Sequence, residues 1–321
     1  MKRRNLGLSV VFVIAAILFV SCKTVTDKAT APFEPSGRIV IPFSYDTNGY
    51  LPVFTVTDAT GTKFHLCFDS GYNYAVLFRH GAEKLDGGKG SIDEAAFKYL
   101  AKQQPVVREQ TLQKKAKKLV EDGMMSITLH GLNNGNLKVD SYCFRYEPKN
   151  VTSNKTDGIV GLQFFGDCNN IIIDYVHQVL EIDGQRITKT GVPMEKIPKL
   201  DLYKTQITVN GIKQFALIDT GAKQFCARKN YNSRTQELTD EQKIDFIYNG
   251  HTGLSFPCVH PVTVKFGNLD KKEQAYNSTN IFMHISSIGR RAGYVYNLFG
   301  FSFFKDHRIQ FDFKNNEFLI D

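Results

Sequence analysis

Two aspartates carry the chemistry that this sequence offers. Asp69 lies in Phe68-Asp69-Ser70-Gly71, at the end of the apolar run Phe64-His65-Leu66-Cys67. Asp219 lies in Ile218-Asp219-Thr220-Gly221, after the matching run Gln214-Phe215-Ala216-Leu217. Each turn is followed, in the same order, by a second matching block. The first is Asp157-Gly158-Ile159-Val160-Gly161-Leu162-Gln163-Phe164-Phe165, and the second is Asn297-Leu298-Phe299-Gly300-Phe301-Ser302-Phe303-Phe304. A chain that repeats an acidic turn with its apolar partner is expected to bring two carboxylates to one pseudo-twofold axis. Carboxylates about 3 Å apart cannot both ionise, so they share one proton over a wide pH range. The ionised member can take a proton from a water between them, and the protonated member can donate to a carbonyl oxygen. Such chemistry needs no metal, no cofactor and no covalent intermediate. The protons belong to the pair, so neither Asp is given a separate acid or base role.

The elements that must position these turns repeat as well. Ile173-Asp174-Tyr175, closing in Leu180-Glu181-Ile182-Asp183, answers to Phe311-Asp312-Phe313, closing in Phe318-Leu319-Ile320-Asp321. Asp174 and Asp312 are 138 positions apart, as are Asp183 and Asp321. Both halves therefore run strand, acidic turn, long middle, apolar-apolar-Gly, closing hairpin. Self-similarity at this length indicates a duplicated domain rather than a solenoid. Strand signals dominate at 38–44, 53–56, 125–129, 137–146, 204–209 and 262–266, with turns at Val209-Asn210-Gly211 and Leu132-Asn133-Asn134-Gly135. Ser91-Ile92-Asp93-Glu94 is a capping box that opens a helix to Gln104, stopped by Pro105. The stretch Gln113-Lys114-Lys115-Ala116-Lys117-Lys118 reads equally as an arm over the site, a second helix or a solvated loop.

On these residues the chain resembles the aspartyl peptidases of the pepsin and retropepsin type, over roughly residues 38–321. In that family each lobe supplies one Asp from an Asp-Thr/Ser-Gly turn, and an apolar-apolar-Gly segment threads behind it. A lone Asp-Ser/Thr-Gly is an ordinary turn; two copies, each with its own downstream partner, are far more specific. The resemblance implies a mainly β, bilobal fold of two related lobes with one or two helices. The lobes are expected at 38–190 and 191–321, with the boundary in the proline- and charge-interrupted stretch 184–198. It implies Asp69 and Asp219 as the catalytic pair, supported by Ser70, Gly71, Thr220 and Gly221. The Ser70 and Thr220 hydroxyls are expected to reach across the axis to the opposite loop, and the two glycines to let backbone approach the dyad. Tyr72 departs from the pattern, standing where the family usually has a small Ala, Ser or Thr. The family also closes a hairpin flap over its substrate. Asn249-Gly250, between 243–248 and 254–256, is a hairpin signal that makes Tyr248 and His251 candidates for substrate contact or members of an ordinary surface hairpin.

The start of the chain has a different purpose. Met1-Lys2-Arg3-Arg4 followed by an apolar stretch over 6–20 reads as a secretory leader, too short for a span of about 20 residues. It ends in Leu18-Phe19-Val20-Ser21-Cys22, which resembles a bacterial lipobox, with Phe19 in place of the usual Leu, giving Cys22 as the acylated residue and 1–22 as the signal peptide; the alternative is an uncleaved N-terminal anchor. Residues 23–37 form a polar tether. The body is then expected in the bacterial cell envelope, outside the cytoplasm, lipid-anchored at Cys22 and facing either the periplasm or the exterior. Removal of the leader leaves 37 basic against 32 acidic residues, a net charge of +5 in place of +8. That mild excess, without a phosphate loop or basic-aromatic interleaving, argues against nucleic acid as a partner. Five cysteines remain, Cys67, Cys143, Cys168, Cys226 and Cys258, an odd number that leaves at least one thiol free or paired between chains. His251, Cys258 and His260 are too few donors to define a metal site.

Three functions compete. The first is an aspartyl endopeptidase acting on extended peptide or protein substrates, monomeric because one chain brings both aspartates. The second is a lipoprotein that keeps the same cleft for binding without turnover, the reading that Tyr72 favours. The third, a serine hydrolase using Ser70, lacks the Gly-x-Ser-x-Gly elbow that would expose a nucleophile.

Overall fold

The computed structural model describes residues 37–85, 100–101, 108–121, 125–147, 156–189, 191–198, 200–227, 255–257, 261–278 and 295–321. The leader, Cys22, most of the tether, the flap candidates Tyr248 and His251, and Cys258 with His260 lie outside them. The first half runs β1 (Ile39–Pro42), β2 (Ser44–Tyr45), β3 (Pro52–Thr57), β4 (Lys63–Phe68), β5 (Val76–Phe78), α1 (Arg79–Ala82), α2 (Glu109–Glu121), β6 (Ser126–Asn133), β7 (Lys138–Glu147), β8 (Gly158–Val160), β9 (Asn170–Asp174) and β10 (Val179–Ile182). The second runs β11 (Val192–Lys196), β12 (Tyr203–Val209), β13 (Ile212–Ile218), β14 (Cys226–Ala227), β15 (Ser255–Pro257), β16 (Val262–Phe266), β17 (Leu269–Glu273), β18 (Tyr276–Ser278), β19 (Val295–Phe299), α3 (Phe301–Phe304), β20 (Arg308–Asp312) and β21 (Glu317–Ile320).

Period-two alternation forms these strands. In β3, Phe54 and Val56 point inward while Val53, Thr55 and Thr57 are partly exposed. The β12–β13 hairpin turns on Asn210-Gly211, both at positive φ (48° and 82°), as a two-residue hairpin of matching twist requires. All six expected strand segments are strands. The Lys-rich stretch 113–118 belongs to helix α2, because Leu112, Ala116 and Val120 recur every four residues and are buried together. Of the helix expected over 91–104, only Leu100 and Ala101 are described, and both are helical.

The duplication is visible in the pairing. In the first half, β4 pairs parallel with β8, β8 antiparallel with β5, and β5 parallel with β7. In the second half, β13 pairs parallel with β19, β19 antiparallel with β14, and β14 parallel with β18. Each acidic turn thus leaves a strand whose parallel neighbour comes from the downstream apolar block. Between the halves, six strands form a shared run, β1-β10-β9-β20-β21-β11. Its central pair sets Ile172 opposite Gln310, two residues separated by the repeat offset of 138, so the pseudo-twofold axis passes through that pair. Arg308 reaches from the second half to Asp174 (3.2 Å) in the first, and Arg38 holds the buried Glu181 with two nitrogens (3.0 and 2.8 Å). Phe299, Phe303, Phe304, Phe311 and Phe318 fill the second-half core, and Phe54, Phe164 and Phe165 contribute to that of the first.

Candidate active site

The two acidic turns meet at the axis with matching backbone bonds. Asp69 N–H donates to Val160 O and Asp219 N–H to Phe299 O, both at 3.0 Å, so each turn hangs from its downstream apolar block. Tyr72 N–H donates to Asp69 O and Ala222 N–H to Asp219 O, both at 3.1 Å. Tyr72 therefore closes its turn as Ala222 does. Its ring packs with the apolar cluster of Tyr50, Leu51, Cys67, Val76, Phe78 and Ile159, so its bulk does not displace the turn.

Ser70 and Thr220 cross the axis. Ser70 N–H donates to Thr220 Oγ1 (2.8 Å), Thr220 N–H donates to Ser70 Oγ (3.0 Å), and Ser70 Oγ donates to Ile218 O (2.9 Å). Both side chains are fully buried. With its hydroxyl committed on both sides and no solvent access, Ser70 is a structural tie, which removes it as a nucleophile.

The carboxyls are close enough that the Gly221 N–H lies within hydrogen-bond distance of Oδ1 on both. Gly71 N–H (2.8 Å) and Gly221 N–H (3.1 Å) donate to Asp69 Oδ1, while Gly221 N–H (3.0 Å) and Ala222 N–H (3.1 Å) donate to Asp219 Oδ1. Neither glycine has room for a side chain. A Cβ on Gly221 would fall 2.1 Å from Asp69 Oδ2, and one on Gly71 would fall 2.4 Å from Asp219 Oδ1. Behind them, a Cβ on Gly161 would meet Tyr72 O at 2.1 Å, and one on Gly300 would meet Ala222 O at 2.3 Å. This explains why a glycine follows the apolar pair in each block, Ile159-Val160 and Leu298-Phe299.

Each Asp keeps part of its surface open while protein packs densely around the carboxyl. Burial raises the pKa of Asp69 above the usual carboxylate range, opposed by the Gly71 N–H, the Asp219 side chain and the Gly221 N–H. Burial likewise raises Asp219 well above that range, followed by the charge of Asp69 and the hydrogen bond to it. The pair consequently retains one proton at a pH where free aspartates have lost theirs.

The roles of three further residues did not emerge from the sequence reading. Asp157 opens the first apolar block but stands away from the dyad. It is 1% exposed and accepts from His65 N–H (2.7 Å) and Lys84 Nζ (2.6 Å), with His80 Nε2 at 3.2 Å, fastening α1 and β4 to β8. Tyr50 is buried in the β2–β3 loop, and the aspartate charges, after burial and Asp46, add to the rise of its pKa. Lys223 follows the Asp219 turn directly, and its Nζ lies 5.9 Å from the Tyr50 ring centroid. Only the run Asp219-Thr220-Gly221-Ala222-Lys223, set against Asp69-Ser70-Gly71-Tyr72-Asn73, hinted at Lys223, as a charge present in one copy alone. Of the segments flanking Asn249-Gly250, residues 255–257 form β15, which pairs antiparallel with β18, while 243–248 and the turn itself lie outside the described residues. Among the described residues, Cys143 and Cys168 are free thiols, and no group of three His, Cys, Asp or Glu is placed to hold a metal ion.

No protein-family model matches the sequence, and no curated protein matches it at a significant level. The structure, by contrast, is similar to that of the aspartic proteinase from Irpex lacteus. The TM-score is 0.50 over 88% of this chain and 97% of that one, at 10% sequence identity.

Proposed function

We propose that this mainly β chain, with its bilobal aspartic-proteinase fold, is an active aspartic-type endopeptidase. The single observation that carries the reading is the meeting of Asp69 and Asp219 across reciprocal Ser70–Thr220 hydrogen bonds, with glycine backbone facing both carboxyls. A retained fold without chemistry has no need of two raised carboxyls at the axis. In the reaction the ionised member of the dyad takes a proton from water, and that water's oxygen attacks the scissile carbonyl carbon. The protonated member gives its proton to the carbonyl oxygen, forming a neutral tetrahedral diol. Collapse breaks the C–N bond as the nitrogen gains a proton, and the dyad returns to its shared-proton state. Ser70 and Thr220 hold the carboxyls in plane, and the Gly71 and Gly221 N–H groups orient their Oδ1 oxygens.

In this reading the lobes span 38–190 and 191–321, and one chain suffices because it carries both aspartates. The leader and Cys22 make it a lipid-anchored protein of the bacterial cell envelope, with extended peptides or proteins as substrates. The test is cleavage of a diverse peptide library by the full chain from acidic to neutral pH, beside Asp69→Asn and Asp219→Asn and with pepstatin as a probe. Cleavage abolished by either substitution supports the dyad; cleavage that survives both removes it. A folded protein that cuts nothing would favour the binding reading.

A further inference from the structure

Lys223 is the one charged residue that separates the two copies of the acidic turn, since the first copy has Asn73 at its place. The fold does not ask for a lysine there. The tie that fixes this position is a backbone one, Ser302 N–H to Lys223 O at 3.1 Å, which any residue provides. Among the described residues no carboxylate pairs with its ammonium, which instead lies over the Tyr50 ring. Tyr50 cannot follow if the lysine moves. It is 3% exposed, its ring packs on Phe301 at 6.1 Å, and Asp46 Oδ1 accepts both the Tyr50 and Leu51 N–H groups at 3.1 Å. Phe301 N–H in turn donates to Ala222 O at 2.8 Å, so the platform under the ammonium is built onto the Asp219 turn itself.

An ammonium held only by an aromatic face is a weakly occupied donor, and a carboxylate offers it a stronger, charge-assisted bond. An extended peptide advances about 3.3 Å per residue, and Lys223 sits four positions after Asp219. Tyr50 lies near enough to the dyad to feel the charges of both Asp69 and Asp219, so the ammonium that rests on it stands beside the scissile position. We infer that Lys223, resting on Tyr50, is a specificity-determining residue that selects an acidic side chain within about two positions of the bond that is cut. The inference deepens the peptidase reading and rests on it for the words "bond that is cut"; the recognition of an acidic peptide does not.

The test uses the full chain and acetylated, amidated peptides, so that side chains supply the only carboxylates. Sets carrying Asp, Asn or Lys at each position around the cleaved bond are compared by kcat/KM for the wild type, Lys223→Gln and Lys223→Arg. In parallel, fluorescence anisotropy measures binding of the same peptides to Asp219→Asn, with and without Lys223→Gln, and melting curves verify folding. The expected result is about a tenfold preference for Asp over Asn at one position, the scale of one charge-assisted hydrogen bond. Lys223→Gln should erase that preference and Lys223→Arg should keep it. Cleavage without an acidic preference, or with one that survives Lys223→Gln, overturns the inference and leaves the peptidase reading standing. No cleavage by the wild type, together with acidic binding lost in Lys223→Gln, supports the inference and counts against turnover. Absence of both cleavage and Lys223-dependent binding overturns it.

Discussion

Replacing Gly221 by alanine places a methyl group where the Asp69 carboxylate now lies. The Cβ would fall 2.1 Å from Oδ2, 2.2 Å from Cγ and 2.5 Å from Oδ1, so no single torsion of Asp69 clears it. Real Cβ contacts essentially never fall below 3.0 Å, so the carboxylate must withdraw by about 0.9 Å or the turn must open. Withdrawal breaks the 3.1 Å bond from Gly221 N–H and separates Asp69 from Asp219. A displacement of about 1 Å at a reacting group costs about a hundredfold in rate, and overpacking a dense interior costs about 1–3 kcal/mol in stability. The control is Gly211→Ala in the β12–β13 turn. There the penalty is of another kind, a φ of +82° with nothing within 4 Å, so it strains a remote hairpin and leaves the dyad alone. Peptide cleavage and urea unfolding on the same samples separate the two. Gly221→Ala should lose at least about a hundredfold in kcat, while Gly211→Ala should lose stability with kcat close to wild type. A folded Gly221→Ala protein within threefold of wild-type kcat would refute the argument that these glycines exist to admit the opposite carboxylate.

Further outcomes follow from the same geometry. Ser70→Ala removes the acceptor of Thr220 N–H and the donor to Ile218 O inside a fully buried tie, and should cost about 2–4 kcal/mol in chemical denaturation, with kcat falling more than KM rises. The raised dyad gives a signed pH effect. In the unfolded chain both carboxyls titrate near pH 4, whereas the folded pair keeps a proton to higher pH. The native state thus binds more protons, and the dyad's stabilising contribution is complete below about pH 4. It then falls by about 1.4 kcal/mol for each step of one in pH, until the folded pair loses its proton. Asp219→Asn should flatten that decline, so that urea midpoints from pH 4 to 8 converge in acid and favour the variant near neutrality; parallel curves would contradict it. Asp157→Asn removes the buried acceptor of His65 N–H and of the part-exposed Lys84 and His80, and should cost about 1–3 kcal/mol by urea unfolding.

What could be read from the sequence depended on whether the decisive contacts were local or repeated. The acidic turns were legible because each copy vouches for the other, and the glycine partners because each follows an apolar pair. Strands such as Pro52–Thr57 were legible because alternation is a local pattern. Residues 113–118 were ambiguous because the signal lies in Leu112, Ala116 and Val120, three apolar residues diluted by lysines. Asp157 stayed hidden because its partners are far away in sequence, Lys84 by 73 positions and His65 by 92. The pairing of Tyr50 with Lys223 joins the two halves, and no periodicity within either half encodes it. Tyr72 is a case where residue size alone says little about the turn. It stands where the family usually has a small residue, yet only its backbone enters the turn, and its ring joins an apolar cluster in the first half.

Asp69 and Asp219 act, in the proposed reaction, as one proton-sharing unit. The measurement that tests it most directly is kcat/KM on one cleavable peptide for Asp69→Asn, Asp219→Asn and the double variant. Residues acting as a unit are non-additive, so each single substitution should cost about as much as both together. A single variant that keeps a tenth or more of wild-type activity, or losses that multiply in the double variant, would contradict it.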